Sequence, residues 1–169
     1  MKKVAVFLPV MLVGCVQPLK TETDVSQISP FIEFNVNETI SVTNAQSSHD
    51  EVVVADLDLM AITGSKFDFT ETLIEITEQE LVKRKGTITS NNPKKELSLS
   101  VDDLRCKKGM FGPSCTTKIS LTIGSGYSAV YTAYSENGYV INDTASHTLA
   151  EAMSAMFRDP KVIAYLTDS

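Results

Sequence analysis

The sequence is short of the features that usually announce a chemistry. Basic charge is scarce: 15 Lys and Arg face 21 Asp and Glu, a net charge of −6. Nucleic-acid binding takes most of its affinity from cations on phosphate, so no nucleic-acid partner is expected. Histidine occurs twice, as His49 and His147, each alone, which leaves no ligand spacing for a metal. No apolar run reaches the roughly twenty residues of a membrane-spanning helix. No serine has a placed histidine and acid, and no carboxylate pair lies in an apolar setting that would raise a pKa. Gly124-Ser125-Gly126 lacks the further residues of a nucleophile elbow or a phosphate loop and reads as a hairpin turn. No internal repeat is evident. The sequence therefore predicts no catalytic residue, no metal and no cofactor.

What the chain does have begins at its N-terminus. Met1-Lys2-Lys3 is cationic and Val4 to Val13 is apolar throughout, interrupted only by Pro9. That is the layout of a secretory signal, a positive start followed by an apolar stretch of about ten residues. The small residue Gly14 is followed at once by Cys15. Leu12-Val13-Gly14-Cys15 resembles the lipobox of bacterial lipoproteins. The resemblance implies that the Cys15 thiol receives a diacylglycerol, that residues 1–14 are cut off as a signal peptide, and that the new amine is acylated. The competing reading is an ordinary signal peptide with an incidental cysteine. Each buried methylene contributes about 0.8 kcal/mol, so several fatty chains hold a protein firmly on a bilayer. Val16 stands where an aspartate tends to keep enterobacterial lipoproteins at the inner membrane. The expected address is thus the outer membrane, lipid-anchored and periplasm-facing.

Removing residues 1–14 leaves 155, enough for one domain with a real core, and a net charge of −8 because Lys2 and Lys3 go with the signal. Such an acidic chain gains little from anionic headgroups, so the lipid has to do the anchoring. Cys106 and Cys115 remain, flanking Lys107-Lys108-Gly109-Met110-Phe111-Gly112-Pro113-Ser114. In an oxidising compartment this spacing suits a disulfide closing a turn. A metal pair is the rival and lacks histidine partners.

The rest reads in order. Residues 15–29 are polar and aperiodic and are expected to be a flexible tether; residues 30–169 form the folded domain. Phe31, Ile32, Phe34, Val36, Ile40 and Val42 largely alternate with polar residues, the period of a half-buried strand. His49 falls in a polar loop and reads as solvated surface. Val52 to Ala55 opens a second strand. Asp56 and Asp58 then share one face, which reads as a solvent face rather than a metal or acid–base pair. Phe67 to Lys85 predicts a helix, with Asp68 as cap, Glu71 completing a capping-box-like pair, and an apolar stripe that Glu80 interrupts. Lys83, Arg84 and Lys85 suit the dipole of its last turn. Glu96 to Cys106 and Cys115 to Ile123 predict a hairpin with the cysteine loop at its tip. Tyr127 to Tyr134 predicts another strand. Asn137-Gly138 predicts a turn and Tyr139-Val140-Ile141 a brief return as strand. Thr144 to Arg158 predicts a second helix with core methionines, and Asp159-Pro160 opens a short third. The expected fold is a single α+β domain: a mainly antiparallel sheet, two main helices on one face, and a short C-terminal helix.

In layout the chain resembles small periplasm-facing lipoproteins of the YajG kind. The likeness runs through the lipobox, the helix before the strand Glu96 to Arg105, paired strands, Thr148-Leu149-Ala150-Glu151-Ala152-Met153 and the closing Asp159-Pro160-Lys161-Val162-Ile163-Ala164-Tyr165-Leu166. Auxiliary lipoproteins of ABC-type lipid transport share a similar final-helix pattern. The YajG resemblance itself implies no assigned activity. The first expectation is a non-enzymatic lipoprotein, anchored to the membrane through Cys15, that binds or scaffolds an envelope partner, protein or lipid. Its surface would be an exposed sheet edge or the cysteine tip, where Met110 and Phe111 are apolar for a loop; the competing expectation is that Phe111 packs back on the domain. The alternative is a carrier or auxiliary of lipid transport enclosing an apolar cavity. An envelope hydrolase using Asp56 and Asp58 is the third. The sequence leaves the oligomeric state open.

Overall fold

The long hairpin organises the domain. β6 (Lys95–Lys108) and β7 (Pro113–Ile123) pair antiparallel from Leu97↔Ile123 to Lys108↔Pro113. Their inward residues recur with period two on either side of a single bulge: Leu97, Leu99, Val101, Leu104 and Cys106 on one strand, Cys115, Ile119, Leu121 and Ile123 on the other, all buried. Alternation of this kind commits one face of a sheet to the core. The computed structural model describes residues 15–22, 33–57, 60–136 and 139–168. The expected signal 1–14, residues 23–32, Asp58, Leu59, the expected Asn137-Gly138 turn and Ser169 lie outside them.

Around the hairpin, β8 (Ser128–Ser135) adds antiparallel to β7. β2 (Thr39–Asn44) adds parallel to the start of β6, and β5 (Thr87–Ile88) parallel to β2, giving the order β5-β2-β6-β7-β8. A second sheet, in the order β1-β4-β3, is built from β1 (Cys15–Pro18), β3 (Glu51–Asp56) and β4 (Met60–Ser65). The helices α1 (Lys66–Lys83) and α2 (Ile141–Met156) cover the larger sheet, and α3 (Pro160–Thr167) closes the chain. This is the expected single α+β domain. The long pairings are antiparallel; the parallel ones are short, and none of them is signalled by the sequence.

Several boundaries differ from the sequence reading for identifiable reasons. Helix α1 is capped by Ser65, whose hydroxyl accepts from the Asp68 amide at 3.1 Å, so Asp68 sits inside the first turn rather than at the cap. Glu71 turns away to accept from Asn44 Nδ2 at 2.6 Å. Residues 33–37 do not form a strand although Phe34 and Val36 alternate with polar neighbours. Their backbone is claimed elsewhere: the Val36 amide donates to the Arg84 carbonyl at 2.7 Å. Helix α2 begins three residues early, at Ile141, because the Thr144 amide and hydroxyl both donate to the Val140 carbonyl. Tyr139 and Val140 are therefore irregular, and no strand forms there. β6 carries its bulge between Val101 and Asp103, and the freed Val101 amide donates to the buried Thr70 hydroxyl of α1 at 2.9 Å. That bond locks helix to sheet at the one point where the ladder opens.

The most consequential difference lies at the start. Residues 15–22 are not a free tether. Cys15–Pro18 pairs with Met60–Thr63, and the Leu19 amide donates to the Thr63 carbonyl at 2.7 Å with Leu19 buried. Thr21 and Thr72 hydroxyls meet at 2.7 Å, and the Glu22 amide donates to Ser146 Oγ at 2.8 Å.

At the C-terminus, Asp159 caps α3, accepting from the Lys161 amide at 2.9 Å. Its other oxygen accepts from the Tyr127 and Tyr131 hydroxyls at 2.8 and 2.7 Å. Desolvation acts to raise the carboxyl's pKa, but the two hydroxyls, the Lys161 amide and the Lys161 charge outweigh it and hold Asp159 below its usual 3.8. Tyr131 is pushed far above a normal tyrosine by burial first and Asp159 second, and Tyr127 is raised chiefly by the bond to Asp159. A depressed carboxyl stabilises the fold above its unfolded value, and that share is lost as pH falls through the folded one. The raised tyrosines stabilise below about pH 10 and lose that share as pH climbs beyond it. Asp159→Ala should cost about 2 kcal/mol, a lost cap plus two hydrogen bonds. In urea titrations from pH 3 to 7, Asp159→Asn should flatten the acid limb. An unchanged acid limb would mean the network carries no linkage.

Candidate functional site

The hairpin tip is built by its sequence. Cys106 and Cys115 are cross-strand partners, Cα to Cα 4.1 Å, and are joined as a disulfide. Beyond them Pro113 starts β7, and Gly109 N–H donates to the Gly112 carbonyl at 2.9 Å to close the turn. Gly112 has φ 149°, open to glycine, and a Cβ on Gly109 would meet the Gly112 oxygen at 2.7 Å. With its ends clipped and its turn closed, the loop presents what remains. Met110 is 91% exposed and Phe111 100% exposed. Phe111 does not pack back on the domain. Lys107 and Lys108 are exposed beside them.

A small disulfide-closed ring of this kind stabilises by about 2.5–3 kcal/mol through loop entropy. Cys106→Ala with Cys115→Ala should lower unfolding free energy by about that amount in chemical denaturation. A loss under about 0.5 kcal/mol, the range of neutral surface changes, would show that the clip adds nothing.

Beside the tip lies a groove of about 590 Å³. Its walls come from four parts of the chain: Gln17 of β1, Leu57 with Met60 and Ile62 around β4, Met110 and Pro113 of the tip, and Tyr139 with Val140 ahead of α2. Tyr139 is 99% exposed and Val140 more than half. The groove opens at one end of the domain rather than between sheet and helices, where the core residues from Leu97 to Leu166 are tightly buried.

Met110 and Phe111 thus stand beside one another on a built surface, clipped by Cys106 and Cys115. Cys15 begins β1 with Met60 as its Cα partner, which places the N-terminal strand against the same groove. Asp56 is exposed at the end of β3; its partner Asp58 lies outside the described residues. His49 is exposed as expected, but its ring lies 3.9 Å from that of Phe67. His147 is half-buried within α2. Among the described residues no three His, Cys, Asp or Glu side chains come together as a metal site, and no helix is long and apolar enough to cross a membrane. Sequence reasoning missed Gln17, Met60, Tyr139 and Val140 as site residues. The one available signal was the pair Tyr139-Val140, two large apolar residues directly after a turn.

No protein-family model matches this chain, and no curated protein matches it either. Solved structures do. PelC from Paraburkholderia phytofirmans, solved as a dodecamer, aligns over 78% of this chain and 95% of its own at 17% identity, with a TM-score of 0.42. A protein of the DUF330 family from Xanthomonas campestris aligns over 89% of this chain and 94% of its own at 10% identity, with a TM-score of 0.51. What this chain shares with the DUF330 protein is therefore the fold, along almost the whole length of both.

Proposed function

We propose that this chain is a lipid-anchored, non-enzymatic lipoprotein of the bacterial envelope that works by binding, with the cysteine-clipped tip as its contact surface. The observation that carries the reading is the complete exposure of Phe111 next to Met110 on a loop fixed by a disulfide. An idle turn gains nothing from two large apolar side chains in water, whereas contact surfaces regularly expose them. The lipobox resemblance at Leu12-Val13-Gly14-Cys15 supports the anchor, and Val16 supports the outer membrane, periplasm-facing. The layout shared with YajG-like lipoproteins supports the same class. Acyl chains on Cys15 hold the chain to the membrane; the partner at the tip is an envelope protein or lipid.

One observation favours the second reading, an auxiliary or carrier of envelope lipid transport. The groove wall of Leu57, Met60, Ile62, Met110, Tyr139 and Val140 is apolar enough to take part of a lipid. The test is a photo-cross-linking residue at position 111 in cells expressing the full-length protein, followed by mass spectrometry of the adducts. A stoichiometric protein adduct, lost on Met110→Ser, supports the scaffold. Phospholipid adducts alone remove a protein partner at the tip and leave a lipid contact, whether with the bilayer or with a carried lipid. No adduct of either kind would remove the tip as a contact surface.

A further inference from the structure

We infer that the tip and the residues around the groove seat in the phospholipid surface that the Cys15 lipid enters, so that the bilayer itself is the partner at this end of the domain. The inference rests on the lipidation reading above and names the partner of that same tip. Its first support is connectivity. β1 starts at Cys15 itself, and Gln17 and Met60, its next-but-one neighbour and its Cα partner, both line the groove. No free segment separates the anchoring position from the groove wall. A lipid on Cys15 therefore holds this end of the domain at headgroup level, which a long flexible tether would not do.

The second support is composition. On the groove stand Met110, Tyr139 and Val140, with Phe111 next to Met110 on the adjoining tip, all exposed, in a domain whose other described large apolar residues are mostly buried. Aromatic rings with one polar end, and long apolar side chains beside them, are what the bilayer interface receives. The third is local charge. Lys107 and Lys108 are exposed at the base of this tip, where Glu136 lines the hollow beside Met110 and Phe111, so two cations face one carboxylate although the chain as a whole is acidic. Lysine stems lie along apolar surface while their ammonium groups stay at the level of phosphate. A lipid tail, an apolar rim and a cationic fringe thus converge on one end of the molecule.

The chain contains no tryptophan, so a single one reports its own surroundings. Phe111→Trp replaces a fully exposed ring and should leave the fold intact. Val82→Trp serves as the control, because Val82 is exposed where α1 runs toward β5, at the opposite end of β6 from the tip. Each full-length variant is purified from bacterial membranes, its intact mass is measured, and it is reconstituted into phosphatidylethanolamine–phosphatidylglycerol vesicles with or without brominated phosphatidylcholine. The expected result is a blue shift and loss of most emission to bromolipid for Phe111→Trp, and neither for Val82→Trp. A lipidated protein whose Phe111→Trp emission ignores bromolipid overturns the seat while the anchor reading stands. A reporter shielded from aqueous iodide yet untouched by bromolipid also overturns it, assigning the patch to a second copy of the chain. A mass without lipid overturns the anchor reading, and this inference with it.

Discussion

Arg84→Ala should unfold far more easily than the native protein, by about 3 kcal/mol, the lower end for breaking a buried ion pair. Arg84 and Glu80 are each only 6% exposed. The guanidinium holds Glu80 Oε1 through Nη2 at 3.0 Å and through Nε at 3.1 Å, and Nη1 donates to the Phe34 carbonyl at 3.4 Å. It also lies 4.1 Å from the centroid of the Phe34 ring and 5.5 Å from that of Phe157. One side chain therefore ties the end of α1 to residues 33–37 and to the end of α2. Truncation strands a buried carboxylate whose remaining cation is Lys83, 3.6 Å away and itself largely exposed. In a domain of this size the loss corresponds to a fall in melting temperature of roughly 6–12 °C. Arg84→Ala with Glu80→Leu should recover part of the loss, since the stranded charge is gone. A single mutant within about 0.5 kcal/mol of the native protein would place Arg84 among ordinary surface cations.

Arg84 also shows what was legible in the sequence. The triplet Lys83-Arg84-Lys85 reads as dipole and solubility charge; for exposed Lys85 that reading is sufficient, while Lys83, also exposed, adds an ion pair to Glu80 at 3.6 Å. Glu80 looks like a break in the apolar stripe. Only the fold reveals that Glu80 and Arg84 satisfy each other inside, because i,i+4 spacing alone does not say which face of the helix turns inward. The helices, the hairpin and the disulfide were legible because each is specified locally, by periodicity, by alternation, or by two cysteines across a Gly-Pro turn. β4 was not: Met60-Ala61-Ile62-Thr63-Gly64-Ser65 has no clean alternation. Its Gly64 is there because a Cβ would collide with the Phe69 ring. β1 was not legible either, since Cys15-Val16-Gln17-Pro18 is held by pairing with the distant strand that starts at Met60, and such pairing leaves no local mark.

The candidate site divides the same way. Met110 and Phe111 stood out as apolar residues in a Lys-, Gly- and Pro-rich turn. Gln17, Met60, Tyr139 and Val140 join them only through tertiary structure, so no spacing rule finds them. Their convergence next to Cys15 makes the docked N-terminal strand, rather than the disulfide alone, the feature around which the functional reading turns. On this account, anchor and contact surface occupy the same end of one domain.

The second large effect follows from the proposed anchor. Cys15→Ser leaves no thiol for the diacylglycerol, and each fatty chain lost removes about 0.8 kcal/mol per buried methylene. With no apolar span among the described residues to compensate, membrane retention should collapse rather than weaken. The acidic balance of 15 basic to 21 acidic residues gives no general electrostatic attraction to replace it. The most direct measurement of the account is therefore fractionation of cells expressing the full-length protein or Cys15→Ser, with intact masses of both. The account predicts a lipid-modified native protein in the outer-membrane fraction and an unmodified Cys15→Ser variant missing from it. Equal recovery of the two proteins from that fraction, with no lipid mass on either, would contradict it.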